Sequence, residues 1–178
     1  MKKGTTFWIT GLSGSGKTTI ARLLLGRIKK VKQNVIMLDG DKLRRVFGNK
    51  FGHSVAERKQ LAYSYARLCK LLSDQNIDVI CSTISMFHDL RRWNRRNIQN
   101  YREIYLKVPY EVLVKRDRKR IYSRAHKGRL INVVGVDLHF EEPRHPDIVI
   151  NNDGALTPGQ IIKLHYKKIV RERTHEAR

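Results

Sequence analysis

Apolar and polar positions along the chain fall into two alternating patterns. Short, nearly continuous apolar runs rich in β-branched residues and bounded by turn formers occupy about 6–10, 34–39, 77–83, 103–108 and 147–151. Runs of this length without polar alternation predict strands buried on both faces. Between them, apolar residues recur at helical spacing over Thr18–Lys30, Ser54–Ser73, Leu90–Asn100, Glu111–Arg124 and Pro158–Arg171. Ser54 with Glu57 three residues on forms a capping box, and Thr157 is placed to cap a helix whose first turn holds Pro158. A parallel strand pair needs a crossover of a dozen or more residues, which a helix supplies. The expectation is an α/β fold with a parallel sheet of about five strands covered by helices.

The chain is 178 residues long with 40% hydrophobic content, enough for one core and too short for two ordinary domains, so a single domain over 1–178 is predicted. Lysine and arginine number 37 against 16 acids, a formal charge of +21, which favours anionic partners. The hydrophobic fraction excludes a disordered basic chain. Cys69 and Cys81 lack metal-ligand spacing, so neither a disulfide framework nor a zinc site is predicted. The basic start carries too short an apolar run for a signal peptide, and no run reaches membrane-spanning length. A cytoplasmic protein with no membrane partner is expected, and a homodimer is compatible with the sequence.

Gly11-Leu-Ser-Gly-Ser-Gly-Lys-Thr18 fits G-x-x-x-x-G-K-[ST] between the run ending at Thr10 and the following helix. Glycines let such a loop curl until its backbone N–H groups face phosphate oxygens, and the helix dipole adds positive potential. Lys17 then reaches the β/γ-phosphates and Thr18 ligates magnesium. On the next strand Val35-Ile-Met-Leu-Asp39 ends in a carboxylate, followed by Gly40 and Asp41. Carboxyl ends of parallel strands line one crevice, so both acids are predicted beside the phosphate loop. One suits the magnesium shell and one suits a base for an attacking hydroxyl, and either would also serve as cap for a helix starting at Lys42. Farther on, Arg116–Pro146 combines many cations with Gly128, Gly135, Pro143 and Pro146, which predicts a mobile cationic flap.

The same residues make an ordered series. Gly11-Leu-Ser-Gly-Ser-Gly-Lys-Thr-Thr19, Leu38-Asp-Gly-Asp41 with Arg44, Ile84-Ser85, Arg116-Asp117 with Lys119 and Tyr122, Gly135-Val-Asp137, and Phe140-Glu141 with Pro143 resemble the adenylyl-sulfate (APS) kinases. The resemblance runs from about Gly4 to Gln160. It implies a P-loop kinase fold that uses ATP and Mg2+ to phosphorylate the ribose 3′-hydroxyl of a small nucleotide. Lys17, Asp41 and Ser85 would be catalytic. Gly11, Ser13, Gly14, Ser15, Gly16, Lys17, Thr18, Thr19 and Arg116 would hold ATP, and Thr18 and Asp39 the metal. Asp41, Arg44, His53, Arg58, Ser85, Met86, Lys119 and Val133 would meet the acceptor, and the segment 116–146 would be the lid.

The acceptor half departs from the family pattern. Two phenylalanines that would clamp the acceptor's adenine are replaced by His53 and Val133, while Leu61 and Tyr63 replace polar residues directed at the acceptor. Met86 stands where the family has proline, and Phe140, preceded by His139, where it has tyrosine. Stacking of this kind is worth on the order of 1–3 kcal/mol per base, so adenine is disfavoured as the acceptor base. A family relative that phosphorylates cytidine diphosphoramidate for capsule phosphoramidate synthesis fits this asymmetry, and that acceptor is expected ahead of APS. The competing class is a basic nucleic-acid-binding protein, motivated by Arg91-Arg-Trp-Asn-Arg-Arg96. The spacing of those arginines reads instead as one solvated helical face, so nucleic acid is disfavoured.

Overall fold

The computed structural model describes residues 2–47, 51–117 and 119–171. Its strands are β1 (Thr5–Thr10), β2 (Val35–Asp39), β3 (Asp78–Ser82), β4 (Asn100–Lys107) and β5 (Ile148–Asn151). They form one parallel sheet in the order β2-β3-β1-β4-β5. The helices are α1 (Lys17–Ile28), α2 (Gly40–Val46), α3 (Val55–Asp74), α4 (His88–Asn97), α5 (Tyr110–Lys115), α6 (Ile121–His126) and α7 (Pro158–Val170).

Strand periodicity explains why the sheet is covered twice. In β1, Phe7 and Ile9 join Ile20, Leu24, Ile80, Ile104 and Ile161, whereas the intervening Trp8 joins Leu61, Ala66, Val79, Cys81 and Leu90. Successive side chains of a strand point to opposite faces, so one buried run feeds two cores. One core lies under α1 and α7 and the other under α3 and α4. Both cysteines are free and buried in the second. Among the described residues no helix is long and apolar enough to cross a membrane.

The capping box at Ser54 forms as its spacing predicts, and Thr157 caps its helix as expected, with Gln160 completing a second capping box. The single helix expected over Glu111–Arg124 is instead two, α5 and α6. The Asp117 carboxylate accepts the N–H groups of Ile121, at 2.7 Å, and Ser123, at 2.8 Å, and Arg120 takes a left-handed φ of 52°. A side chain that competes for backbone donors in this way ends one helix and starts the next.

The arginines of α4 do not form one solvated face. Arg92 and Arg96 are exposed, but Arg91 is 5% exposed and lies 2.8 Å from the Glu103 carboxylate, itself 1% exposed. Arg95 pairs with Glu103 at 3.0 Å and with Asp147 at 3.2 Å. The Arg91 guanidinium also donates to Glu141 O, and the Glu141 carboxylate accepts the His88 N–H. Together these bonds tie the end of the 116–146 segment to α4 and β4. Its middle is tied locally, because the Asp137 carboxylate accepts the N–H groups of Asn132 and Val133.

Candidate active site

The loop from Gly11 to Gly16 turns between β1 and α1 with φ of 150°, 76° and 91° at Gly11, Gly14 and Gly16. A Cβ at Gly11 would stand 2.6 Å from Leu106 O and 2.8 Å from Ser15 Oγ, so the loop closes only around glycine. Lys17 folds its ammonium back to donate to Leu12 O at 2.7 Å and Ser15 Oγ at 3.4 Å. Burial pushes that ammonium down to about 8 against the pull of Asp41 and Asp39, with Lys119 adding to the fall.

Asp39 is the cap of α2, and its second carboxylate oxygen faces the phosphate loop. One carboxylate oxygen accepts the N–H groups of Asp41 at 3.1 Å and Lys42 at 3.3 Å, capping α2. The other accepts the hydroxyls of Thr18 at 2.7 Å and Ser82 at 3.3 Å. Burial pushes the Asp39 carboxyl up, but these bonds outweigh it and hold the group below its ordinary range. A charged carboxylate beside a threonine hydroxyl offers the hard oxygen donors that magnesium prefers. Among the described residues no cluster of three or more His, Cys, Asp and Glu is present.

Asp41, on the first turn of α2, is exposed and ion-paired with Lys119 from the 116–146 segment. Ser85 lies past the end of β3, its hydroxyl 2.7 Å from that of Thr83, while Thr10 Oγ1 donates to Ile84 O at 2.6 Å. Arg44 donates to Phe51 O at 2.7 Å and Gly52 O at 2.9 Å. Arg58 donates to His53 O at 2.8 Å and to Asn132 O at 2.7 Å, and so spans from His53 to the residue before Val133. Burial lowers the His53 imidazole, and the neighbouring Arg44 and Arg58 lower it further. Arg116 donates to Asn152 O at 2.9 Å and lines a cleft of about 490 Å³ with Val114, Lys115, Asp117 and Ser123.

Two of the acceptor positions have a packing role. Met86 is 2% exposed among Leu12, Tyr105, Leu113 and Tyr122, and Val133 is 5% exposed. Leu61 is likewise buried, in the core under α3, and Tyr63 faces α4, its ring edge-on to Trp93 with centroids 6.2 Å apart. Both side chains are therefore engaged in packing.

Sequence reasoning passed over Ser82 and Asn152, and named Tyr122 in the family motif without giving it a role. Ser82 completes the hydroxyl pair on Asp39. Tyr122 of α6 donates to Ser13 O at 2.8 Å, and Asn152 donates its amide to Ser15 O at 2.9 Å. Asn152 directly follows β5, so the rule that strand carboxyl ends line the crevice was the signal available for it.

Comparison with known proteins agrees with this geometry. Residues 3–151 match the family described as Adenylylsulphate kinase. A cytidine diphosphoramidate kinase of Campylobacter jejuni subsp. jejuni is 40% identical over 162 residues, 91% of this chain and 94% of that protein. A probable adenylyl-sulfate kinase of Archaeoglobus fulgidus is 36% identical over 146 residues, 82% of this chain and 94% of that one. The Mycobacterium tuberculosis APS kinase solved with AMPPNP and APS superposes with a TM-score of 0.86 at 26% identity, covering 95% of this chain and 99% of that one. The fold extends to the shikimate kinase of Aquifex aeolicus, with a TM-score of 0.58 at 15% identity. A phosphate loop built between β1 and α1, on a sheet shared with these kinases, makes the chain a phosphotransferase that belongs to the adenylylsulphate kinase family.

Proposed function

We propose that the protein transfers the γ-phosphoryl group of ATP to the ribose 3′-hydroxyl of cytidine diphosphoramidate. The observation that carries this reading is an asymmetry. The ATP half keeps every residue of the phosphate loop, while the acceptor half has His53 and Val133 where the family resemblance implies a double aromatic clamp. The 40% identity to the Campylobacter enzyme supports the same acceptor. The setting it implies is a cytoplasmic enzyme serving capsule phosphoramidate assembly.

Lys17, with the loop N–H groups, holds the β- and γ-phosphates and neutralises charge as it develops in transfer. Thr18 and Asp39 would hold Mg2+, which would supply positive charge to offset that of the phosphates. Asp41 accepts the proton of the acceptor hydroxyl as that oxygen forms its bond to the γ-phosphorus and the bond to the β–γ bridging oxygen breaks, releasing ADP. Lys119 now pairs with Asp41. An acceptor diphosphate competes for Lys119, which frees the Asp41 carboxylate when the acceptor arrives. Ser85, Arg44 and Arg58 orient the acceptor, and Arg116 meets the ATP base at the foot of the lid.

The family match favours APS as the alternative acceptor. The test is kcat/KM for both acceptors, on wild type and on His53→Phe. Wild type is expected to prefer the cytidine nucleotide, and His53→Phe to gain activity with APS by restoring one stacking face. The single substitution is the cleaner probe, because enlarging the buried Val133 would overpack its turn. Efficient wild-type use of APS above the cytidine nucleotide would return the protein to sulfate activation.

A further inference from the structure

Asn152 joins the phosphate loop to the first residue of the lid through one buried side chain and one backbone carbonyl. It is 6% exposed and lies immediately beyond β5, where its N–H donates to Lys107 O at 2.9 Å and so continues the ladder to β4. Its side-chain amide donates to Ser15 O at 2.9 Å, and its carbonyl accepts Arg116 at 2.9 Å. Two glycines leave room for this junction. A Cβ at Gly16 would stand 2.9 Å from the Asn152 amide nitrogen, and one at Gly154, whose φ is 110°, would stand 3.2 Å from the Arg116 guanidinium.

The consequence follows from peptide geometry. In a planar trans peptide the C=O and the N–H point in opposite directions. Holding the Ser15 carbonyl toward Asn152 therefore aims the Gly16 N–H the other way, away from Asn152. A phosphate-binding loop works by presenting such N–H groups together, and each one that must reorient on binding weakens the site. The direction of the Ser15 carbonyl decides that of the next donor.

We propose that Asn152 is a positioning residue for nucleotide binding: its amide fixes the Ser15–Gly16 peptide so that the Gly16 N–H is pre-aimed at a phosphate oxygen of the donor nucleotide. Its carbonyl fixes Arg116 at the same time, so the phosphate and base ends of that nucleotide are registered by one residue. The inference rests on the donor half of the proposed reaction and is independent of which acceptor the enzyme uses.

The test measures binding of a non-hydrolysable ATP analogue with Mg2+ by calorimetry, without acceptor, on wild type, Asn152→Ala and Asn152→Asp. The aspartate variant controls for packing, since Asn152→Asp keeps the volume and swaps the donor for an acceptor that repels Ser15 O. Both variants are expected to bind the analogue at least about tenfold more weakly, a loss of about 1.4 kcal/mol. The KM of any acceptor the wild type uses should change by less than about twofold in the same variants, as their acceptor side is untouched. A residue that only supported the fold would lower the melting temperature and the active fraction, leaving the affinity of the folded fraction alone. Analogue affinity within about twofold of wild type in the folded Asn152→Ala protein, or in Asn152→Asp should the alanine variant not fold, would overturn the proposal. Failure of the enzyme to use cytidine diphosphoramidate would leave this binding result standing, so the two readings fail separately.

Discussion

The Lys17 ammonium sits inside the phosphate loop with Leu12 O and Ser15 Oγ beside it, and burial pushes it down to about 8. A bound polyphosphate favours the charged form and raises this value again. Between the free and the bound values the empty loop holds a neutral amine and the occupied loop an ammonium, so binding takes up a proton and affinity falls as pH rises above about 8. Titrating an ATP analogue in two buffers of different ionisation enthalpy should show proton uptake near pH 9 and little near neutrality, and Lys17→Ala should abolish the difference along with turnover. Buffer-independent enthalpies near pH 9 would contradict the linkage. Lys17 and Thr18 were legible in the sequence because their motif fixes their positions through local backbone alone. Ser82 and Asn152 were not singled out, since each reaches Asp39 or the loop from a distant strand end that no local motif marks, and the contact of Tyr122 with Ser13 O is likewise long-range.

Among the elements, all five strands were legible because a parallel sheet buries both faces, which writes each strand as a short apolar run. The break between α5 and α6 was not, because it depends on which backbone donors the Asp117 side chain takes. The misreading of α4 has the same kind of cause: helical spacing shows which arginines share a face, and their acid partners Glu103 and Asp147 lie on β4 and before β5. Arg91 makes a buried pair whose loss can be calculated in kind. Arg91→Ala leaves the Glu103 carboxylate buried beside only Arg95, and removing one partner of such a pair costs about 3–5 kcal/mol. Replacing both partners, as in Arg91→Met with Glu103→Leu, should recover much of that loss, because the unpaired charge is gone. Urea denaturation of the two single variants and the double variant measures it. A loss below about 1 kcal/mol in Arg91→Ala would mean that water or Arg95 compensates the carboxylate. Since Arg91 also holds Glu141 O, the single variant should loosen the return of the lid segment and raise its cleavage by protease.

At the scale of the whole molecule, the charge of +21 acts on both proposed substrates, which are anions. Much of the acidic complement is neutralised locally: Asp74, Asp78, Asp89, Glu103, Glu142 and Asp147 each face a lysine or arginine. The surplus cations are spread over the surface, however, and only some of them stand near the site. Potential at a cleft depends on nearby charge, because salt screens beyond a Debye length of about 8 Å at physiological ionic strength. Charge reversal at two places separates the field of the site from the net charge. Arg120, Arg124 and Lys127 are exposed on the 116–146 segment, proposed above as a lid, and Lys163, Lys167 and Lys168 are exposed on α7. Reversing either trio to glutamate changes the charge by 3 × 2 = 6, from +21 to +15. At equal net charge the lid trio should lose several times more kcat/KM than the α7 trio, mostly through KM, and should flatten the fall of kcat/KM with added salt. The comparison needs no knowledge of the acceptor beyond its being anionic. Equal losses from the two trios would show that the overall charge attracts the substrates, and that the cationic lid adds nothing of its own to their capture.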